Sequence, residues 1–350
     1  MAPDQSTNLM THFRQLFRSS EDTLTDILGQ DEAKEQVKAA LLMARHLIIV
    51  GPPGVGKTTL ARNLSRVLPD IMANDCPYHC TPDHPICPQC LAAKQTQKTR
   101  RLKGEDRFVR IQGSPDLTAE DLIGDIDPVK ALQFGPRSIE AFTLGKLFKA
   151  HNGVLFFDEV NRCPQKLQNA LLQVLSEGKV TIGSYDVDVP ASFIFIGTMN
   201  PDDTSTEPLS AVFKDRFDIV HMGYPEDLET ESEIAVSKGK SLVQFPEDLL
   251  AAMLEFVRYL RSHKDLEGKP SVRASIGLYE RAQAHAYLAG RGEVVLEDIE
   301  RALVSVLAHR LKLRPNRQYL TSPEDFIRNE FASFSQKLST DQKGGRLQGR

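Results

Sequence analysis

The sequence predicts an α/β fold: a parallel five-stranded sheet with helices on both faces, followed by a separate all-α domain. Three observations carry this expectation. Apolar runs at 46–50, 108–111, 154–157, 193–198 and 219–222 alternate with helical segments, as in a parallel sheet buried on both faces. The first run passes into a glycine-rich turn and then a helical segment, Thr59 to Leu68, with Leu60, Leu64 and Leu68 on one face. From about Pro246 to about Leu313 the apolar spacing is helical throughout.

Taken in order, residues 1–22 are polar and read as a flexible arm or a short helix. The core spans 23–245 and opens with a helical pattern from Asp26 to Ala44. After Pro69 the periodicity fails. Residues 70–107 hold four cysteines, several prolines and a basic tract (Lys94, Lys98, Arg100, Arg101, Lys103). A structureless insertion of that length needs a metal or a partner to stay ordered. Lys179 to Val189 alternates about Gly183-Ser184 and reads as a β-hairpin. Residues 246–315 form the helical domain. Residues 316–350 are an extension whose polar, glycine-rich end, from Thr340, reads as disordered.

Composition bounds the function without naming it. The 350 residues carry 43 Lys+Arg against 47 Asp+Glu, a net charge of −4. A hydrophobic fraction of 41% and a charged fraction of 26% exclude fibrous, disordered and miniprotein classes. No apolar stretch reaches the roughly 18–20 residues of a membrane span, and MAPDQSTNLMTHFRQ lacks a signal-peptide core, so a cytoplasmic location is expected. The acidic balance gives no global electrostatic case for nucleic acid, although a local patch is compatible with it.

The turn after the first strand, Gly51-Pro52-Pro53-Gly54-Val55-Gly56-Lys57-Thr58, fits the P-loop pattern at every position. Its glycines let successive backbone N–H groups face phosphates at a helix N-terminus that begins around Thr59. Lys57 reaches the β- and γ-phosphates of ATP in this arrangement, and the Thr58 hydroxyl takes a Mg²⁺ position. The run Val154–Phe157 ends in Asp158-Glu159. Asp158 is placed to face Mg²⁺, and Glu159 to orient the attacking water as general base. Asn200, after the run Phe193–Thr198, either holds that water or simply starts an Asn-Pro turn.

Cys76, Cys80, Cys87 and Cys90 bring four thiols within 15 residues. Their spacing points first to Zn²⁺, with an iron–sulfur cluster or free, redox-active thiols as alternatives. His79 and His84 are spare candidate ligands, and Cys163 reads as a lone structural thiol. The basic tract beyond reads as a solvated face, with an acidic partner or nucleic acid as the alternative.

Together these motifs resemble the AAA+ ATPases, and more narrowly the MoxR and magnesium-chelatase I-subunit branch, over roughly Ile27 to Leu313. Gly29-Gln30-Asp31-Glu32-Ala33-Lys34 resembles the adenine-side segment. Asp158-Glu159-Val160-Asn161-Arg162 and the following Gln168-Asn169-Ala170-Leu171-Leu172 resemble the Walker B stretch. Thr198-Met199-Asn200-Pro201 resembles sensor 1, Asp215-Arg216-Phe217-Asp218 the arginine-finger segment, and Pro270-Ser271-Val272-Arg273-Ala274-Ser275 sensor 2. The resemblance implies that Arg216 enters a neighbouring subunit's site, a contribution typically worth about 10³–10⁵ in rate, and that Arg273 also acts across the interface. It implies a hairpin insert at 125–146 and a helical lid at 246–315. Either hairpin then faces a pore or partner, or is merely peripheral.

The function expected is Mg²⁺-dependent ATP hydrolysis at the interfaces of a ring homo-oligomer, a hexamer, that remodels or activates a protein partner. In this branch the partner carries a von Willebrand A domain, and no D-x-S-x-S occurs in this chain. One rival is the motor subunit of a magnesium or cobalt chelatase acting on a tetrapyrrole. A second is a nucleic-acid-stimulated motor, against which the net charge argues.

Overall fold

The computed structural model describes residues 3–19, 22–93, 97–182, 187–201 and 209–345. It divides into two compact units. The first comprises Met1–Pro52 and Gly56–Met222, the second Pro53–Val55 and Gly223–Arg350.

In the first unit, α1 (Pro3–Leu16) and α2 (Asp31–Leu42) precede β1 (Leu47–Val50), and α3 (Lys57–Arg66) follows it. The cysteine region contains β2 (Ile71–Asn74), α4 (Pro88–Ala93) and β3 (Thr99–Leu102). Next come β4 (Phe108–Gln112), α5 (Ala119–Ile123), β5 (Gly124–Ile126), α6 (Pro128–Phe134), β6 (Phe142–Leu144) and α7 (Lys146–Lys149). The unit continues with β7 (Val154–Asp158), α8 (Gln165–Glu177), β8 (Lys179–Ile182), β9 (Val187–Pro190), β10 (Ile194–Met199), α9 (Ala211–Lys214) and β11 (Asp218–His221).

All five expected sheet strands form, in the order β11-β1-β10-β7-β4, and every pairing is parallel. Their near-continuous apolar sequences follow from burial on both faces: Leu47, Ile48, Ile49 and Val154 to Phe157 are essentially inaccessible. The register pairs Val50 with Met199 and Gln112 with Asp158, so the strands end side by side at one edge. That edge is where loops can gather ligand groups.

Three expectations for this unit need correction or completion. The N-terminal arm is a docked helix: Leu9, Phe13 and Phe17 recur at helical spacing, Phe13 is buried, and His12 Nε2 bonds the Val67 carbonyl at 2.9 Å. The cysteine insertion is not structureless, because β2 and β3 form an antiparallel ladder from Ile71↔Leu102 to Asn74↔Thr99 that brings its ends together. Residues 124–144 do form a hairpin, with β5 antiparallel to β6 and α6 between them. The second hairpin pairs β8 with β9 from Lys179↔Pro190 to Ile182↔Val187, while its Gly183-Ser184 turn lies outside the described residues.

The second unit holds α10 (Leu228–Lys238), α11 (Glu247–Ser262), β12 (Leu266–Gly268), α12 (Val272–Leu288), α13 (Leu296–Leu307), β13 (Lys312–Leu313), α14 (Pro315–Gln318) and α15 (Pro323–Gly345). It starts at Gly223, earlier than residue 246, because α10 belongs to its core. Glu231 of α10 is fully buried and bound by both arms of Arg261 at 2.6 and 2.7 Å and by Ser275 Oγ at 2.5 Å. Arg261 also donates to the Pro270 carbonyl at 2.9 Å, which fixes the first turn of α12, where Arg273 sits.

The C-terminal extension is likewise part of this core, since Phe326, Ile327 and Phe331 of α15 are buried in it. The helix runs to Gly345, past the Thr340 where polarity suggested disorder. Ser322 accepts the Asp325 amide at its start, and propagation from an anchored first turn needs little local propensity.

Candidate active site

The phosphate loop is built by close approach and by left-handed backbone. Gly51 continues β1, donates its amide to Met199 O at 3.2 Å, and lies where any Cβ would strike the Met222 carbonyl. Gly54 and Gly56 adopt φ of +79° and +101°, and Gly56 is the N-cap of α3. Glycine is the residue that takes such angles at no steric cost. The first-turn amides of α3 therefore open into the loop, with Thr58 and Thr59 half-buried in that turn.

Lys57 Nζ bends back to the carbonyls of Gly51 (2.5 Å) and Pro52 (2.9 Å). Val55 is buried, and Ile27, just before Gly29 and Gln30, has its side chain against Gly56. Gly29 and Gln30 both have positive φ, which turns the chain into α2. Within the second unit, a Cβ on Gly54 would meet Ser271 Oγ at 2.9 Å and Arg273 Cγ at 3.2 Å.

Asp158 and Glu159 stand at the carboxyl end of β7, between the ends of β4 and β10. The fully buried Thr198 hydroxyl donates to Asp158 Oδ1 at 2.6 Å and accepts the Glu159 amide at 2.9 Å. Arg110 of β4 pairs with Asp158 Oδ2 at 2.6 Å. Glu159 Oε2 accepts from Gln112 Nε2 at 2.9 Å and pairs with Arg162 at 3.1 Å. Its backbone is left-handed (φ 55°, ψ 51°), a costly conformation for a non-glycine residue that tends to accompany function.

Asn200 directly follows β10, two residues beyond Thr198. Thr58 and Asp158 offer only hydroxyl and carboxylate oxygens, the donor chemistry Mg²⁺ prefers, and each Asp158 oxygen keeps a further lone pair. Arg216 is exposed after α9 and bonds Ser176 Oγ of α8. Arg273 is exposed on the first turn of α12.

Arg110, Gln112 and the Thr198 hydroxyl were not singled out from sequence. The signal existed: in Phe108-Val109-Arg110-Ile111-Gln112 the polar residues alternate onto one face of a strand adjoining β7.

The four expected cysteines are buried, free of disulfides, and have their sulfurs within 4.8 Å of one another. Ile86 N donates to Cys80 Sγ at 3.3 Å and Cys90 N to Cys87 Sγ at 3.4 Å. Hydrogen bonds from Cys80 and Cys87 hold the Cys76 thiol far below the usual thiol range, while burial pushes Cys90 up to about 12. His79 and His84 lie outside the four-thiol group. Burial raises Cys163 to about 11, which suits an inert thiol.

A left-handed glycine loop joining the first sheet strand to a helix, with an acidic pair ending the next strand but one in the same sheet, defines a P-loop NTPase. Residues 85–219 match the family described as ATPase family associated with various cellular activities (AAA), 258–330 the AAA lid domain, and 23–98 magnesium chelatase, subunit ChlI. The chain is 30% identical over 325 residues to the chloroplastic magnesium-chelatase subunit ChlI of Glycine max, covering 83% of this chain and 74% of that one. It is 27% identical over 343 residues to chaperone MoxR1 of Mycobacterium tuberculosis, covering 89% and 79%. The solved structure of NtrX from Brucella abortus shares the fold at 16% identity and TM-score 0.50, covering 87% of this chain and 61% of that one.

The chain belongs to the AAA+ ATPases, in the branch of MoxR chaperones and magnesium-chelatase I subunits. It is accordingly an ATP hydrolase that uses ATP with Mg²⁺.

Thr198→Val should leave the Glu159 amide unpaired and one Asp158 oxygen short of a donor, destabilising the first unit by about 1–3 kcal/mol in urea unfolding, with Thr198→Ser close to wild type. Equal stability of the valine variant would contradict the bridging role of this hydroxyl.

Proposed function

We propose that the chain hydrolyses ATP at the subunit interfaces of a ring, a hexamer, and uses the cycle to remodel or activate a protein partner. The observation that carries the chemical part is the acidic pair locked to β10 by Thr198, beside a loop whose glycines admit phosphate. Lys57 leaves its two carbonyl partners to reach the β- and γ-phosphates, with the amides of Gly51 to Thr59 around them. Thr58 and Asp158 hold Mg²⁺, which when bound neutralises charge on the phosphate oxygens.

Glu159 takes a proton from a water that Asn200 helps to hold. The water oxygen then bonds to the γ-phosphorus as the bond to the β-γ bridging oxygen breaks, and ADP leaves with that electron pair. Gln112 and Arg162 must release Glu159 before it can serve, which makes their contacts a resting arrangement. Arg216, on an exposed segment, supplies positive charge to a neighbour's site. Arg273 acts at the same interface, while Gly29 and Gln30 flank the adenine.

For the partner, likeness to chaperone MoxR1 supports a protein client; a von Willebrand A domain protein is the client that the resemblance to that branch implies. A second reading, supported by the likeness to magnesium-chelatase subunits, is the motor of a metal chelatase. A nucleic-acid motor fits less well. Arg100, Arg101 and Lys103 of the basic tract lie against Asp75, Asp70 and Glu105 at 3.5, 2.8 and 3.8 Å, which offsets part of that face's charge, and Lys94 lies outside the described residues.

The four buried thiols take Zn²⁺ in this reading. Tetrahedral ligands about 2.3 Å from zinc stand roughly 3.8 Å apart, and the sulfurs already cluster within 4.8 Å. The two N–H···S bonds orient thiolates as outer-shell donors do. Five free cysteines suit a reducing cytoplasm, and among the described residues no helix is long and apolar enough to cross a membrane.

Glu159→Gln should bind ATP normally and hydrolyse it about 10²–10⁴ times more slowly; near-normal turnover would remove Glu159 as the base. Used as a trap, that variant should retain a von Willebrand A domain protein, whereas recovery of chelatase subunits would favour the second reading. Elemental analysis of the purified protein should find about one Zn²⁺ per chain, and a fully folded protein without metal would overturn the zinc assignment.

A further inference from the structure

The insert hairpin has too little of its own to hold it. Its ladder is three residue pairs long, from Gly124↔Leu144 to Ile126↔Phe142, and an isolated hairpin of that size is marginal in water. Helix α6, between the strands, buries none of its residues. What is buried is one face of β6: Phe142 and Leu144 are at 6% and 2% exposure while Thr143 between them is exposed. Both join the same hydrophobic cluster as the four cysteines.

The contacts between the cysteine module and the hairpin are specific. Tyr78, between the first two cysteines, donates its hydroxyl to the Leu144 carbonyl at 3.2 Å, beside the base of the hairpin. Helix α4, which carries Cys90, packs on the helical turn Ile139–Ala141 that leads into β6. On its other side the module is anchored to the core by Asn152 Nδ2, two residues before β7, which donates to the His79 carbonyl at 3.0 Å; within the insertion, Asn74 N of β2 donates to the Cys80 carbonyl at 2.7 Å. The cysteine loop thus stands between the sheet and the hairpin stem. Residues 75–87 contain no helix or strand, and the feature that gathers them is the cluster of four sulfurs within 4.8 Å of one another.

We infer that the four-cysteine module is a metal-dependent brace for the insert hairpin: zinc bound by Cys76, Cys80, Cys87 and Cys90 fixes the wall against which Phe142, Leu144 and the Ile139–Ala141 turn pack. This rests on the zinc reading above. It adds that the metal sets the order of the hairpin while leaving the nucleotide core intact. The phosphate loop and α3 take their support from β1, β10 and Met222 and share no hydrogen bond with the module among those described. Loss of metal therefore releases residues 124–144 and spares ATP binding.

The test is hydrogen exchange by mass spectrometry on the full chain, with zinc content measured on the same samples. Zinc is removed by chelation, and a Cys87→Ser/Cys90→Ser variant gives a second metal-free form. Tyr78→Phe loosens the brace with all four ligands present. Metal-free protein should exchange peptides within 124–144 at least tenfold faster, with α3 peptides and the affinity for a fluorescent ATP analogue changed less than twofold. Tyr78→Phe should retain zinc yet raise exchange in the same peptides. Native protein without zinc would overturn the metal reading itself. Zinc demonstrably present and then removed, with hairpin exchange unmoved, would overturn only the brace. A rise in α3 equal to that in the hairpin would also overturn it, by showing general unfolding.

Discussion

Thr198 has no solvent exposure, and its hydroxyl serves two residues of the next strand at once, donating to Asp158 and accepting from the Glu159 amide. The parallel register makes this possible. β10 and β7 run side by side, so Thr198, the penultimate residue of β10, lies within a hydrogen bond of Asp158, the last residue of β7, and of Glu159 just beyond it. The Glu159 amide and one oxygen of the Asp158 carboxylate are held by that link. The contacts from β4, Arg110 to Asp158 and Gln112 to Glu159, complete the arrangement from the opposite side. The acidic pair is therefore positioned by the sheet itself, and the loops need only bring phosphate to it.

Much of this was legible from residues alone. The five strands announced themselves because doubly buried strands must be apolar throughout, and the phosphate loop because only glycines fit at +79° and +101°. Arg110 and Gln112 were hidden for a physical reason. Their importance comes from which strand lies next to β7, a matter of sheet order that no local pattern states. Phe13 and Phe331 were underrated for a related reason: a segment that looks polar on average can dock through a few spaced aromatics, and their burial depends on partners far away in sequence. The early start of the second unit turns on Glu231, a charged residue whose complete burial is intelligible only once Arg261 and Ser275 are seen around it.

The cysteine module illustrates how an insertion becomes part of a working structure. Four thiols in a short stretch indicated a metal from spacing alone, but not what the metal would be for. The β2–β3 ladder closes the insertion at its base, and Tyr78 and α4 reach from it to the hairpin. The cysteine insertion thus lies beside the second insertion, the β5–β6 hairpin. Zinc, as proposed, would suit such a place, because a bound metal can order a small loop that has few apolar residues of its own.

In the proposed ring, Arg216 would tie the single chain to the assembly. It sits on an exposed segment, bonded to Ser176, and the proposal assigns it to a neighbour's site. The most direct test mixes two inactive proteins: Arg216→Ala, which keeps its phosphate loop, and Lys57→Ala, which keeps its arginine. Each alone should be nearly devoid of ATPase activity, and mixed rings should recover a substantial fraction, because an intact loop then meets an intact arginine across an interface. Mixed rings shown to assemble, yet as inactive as either parent, would contradict the account.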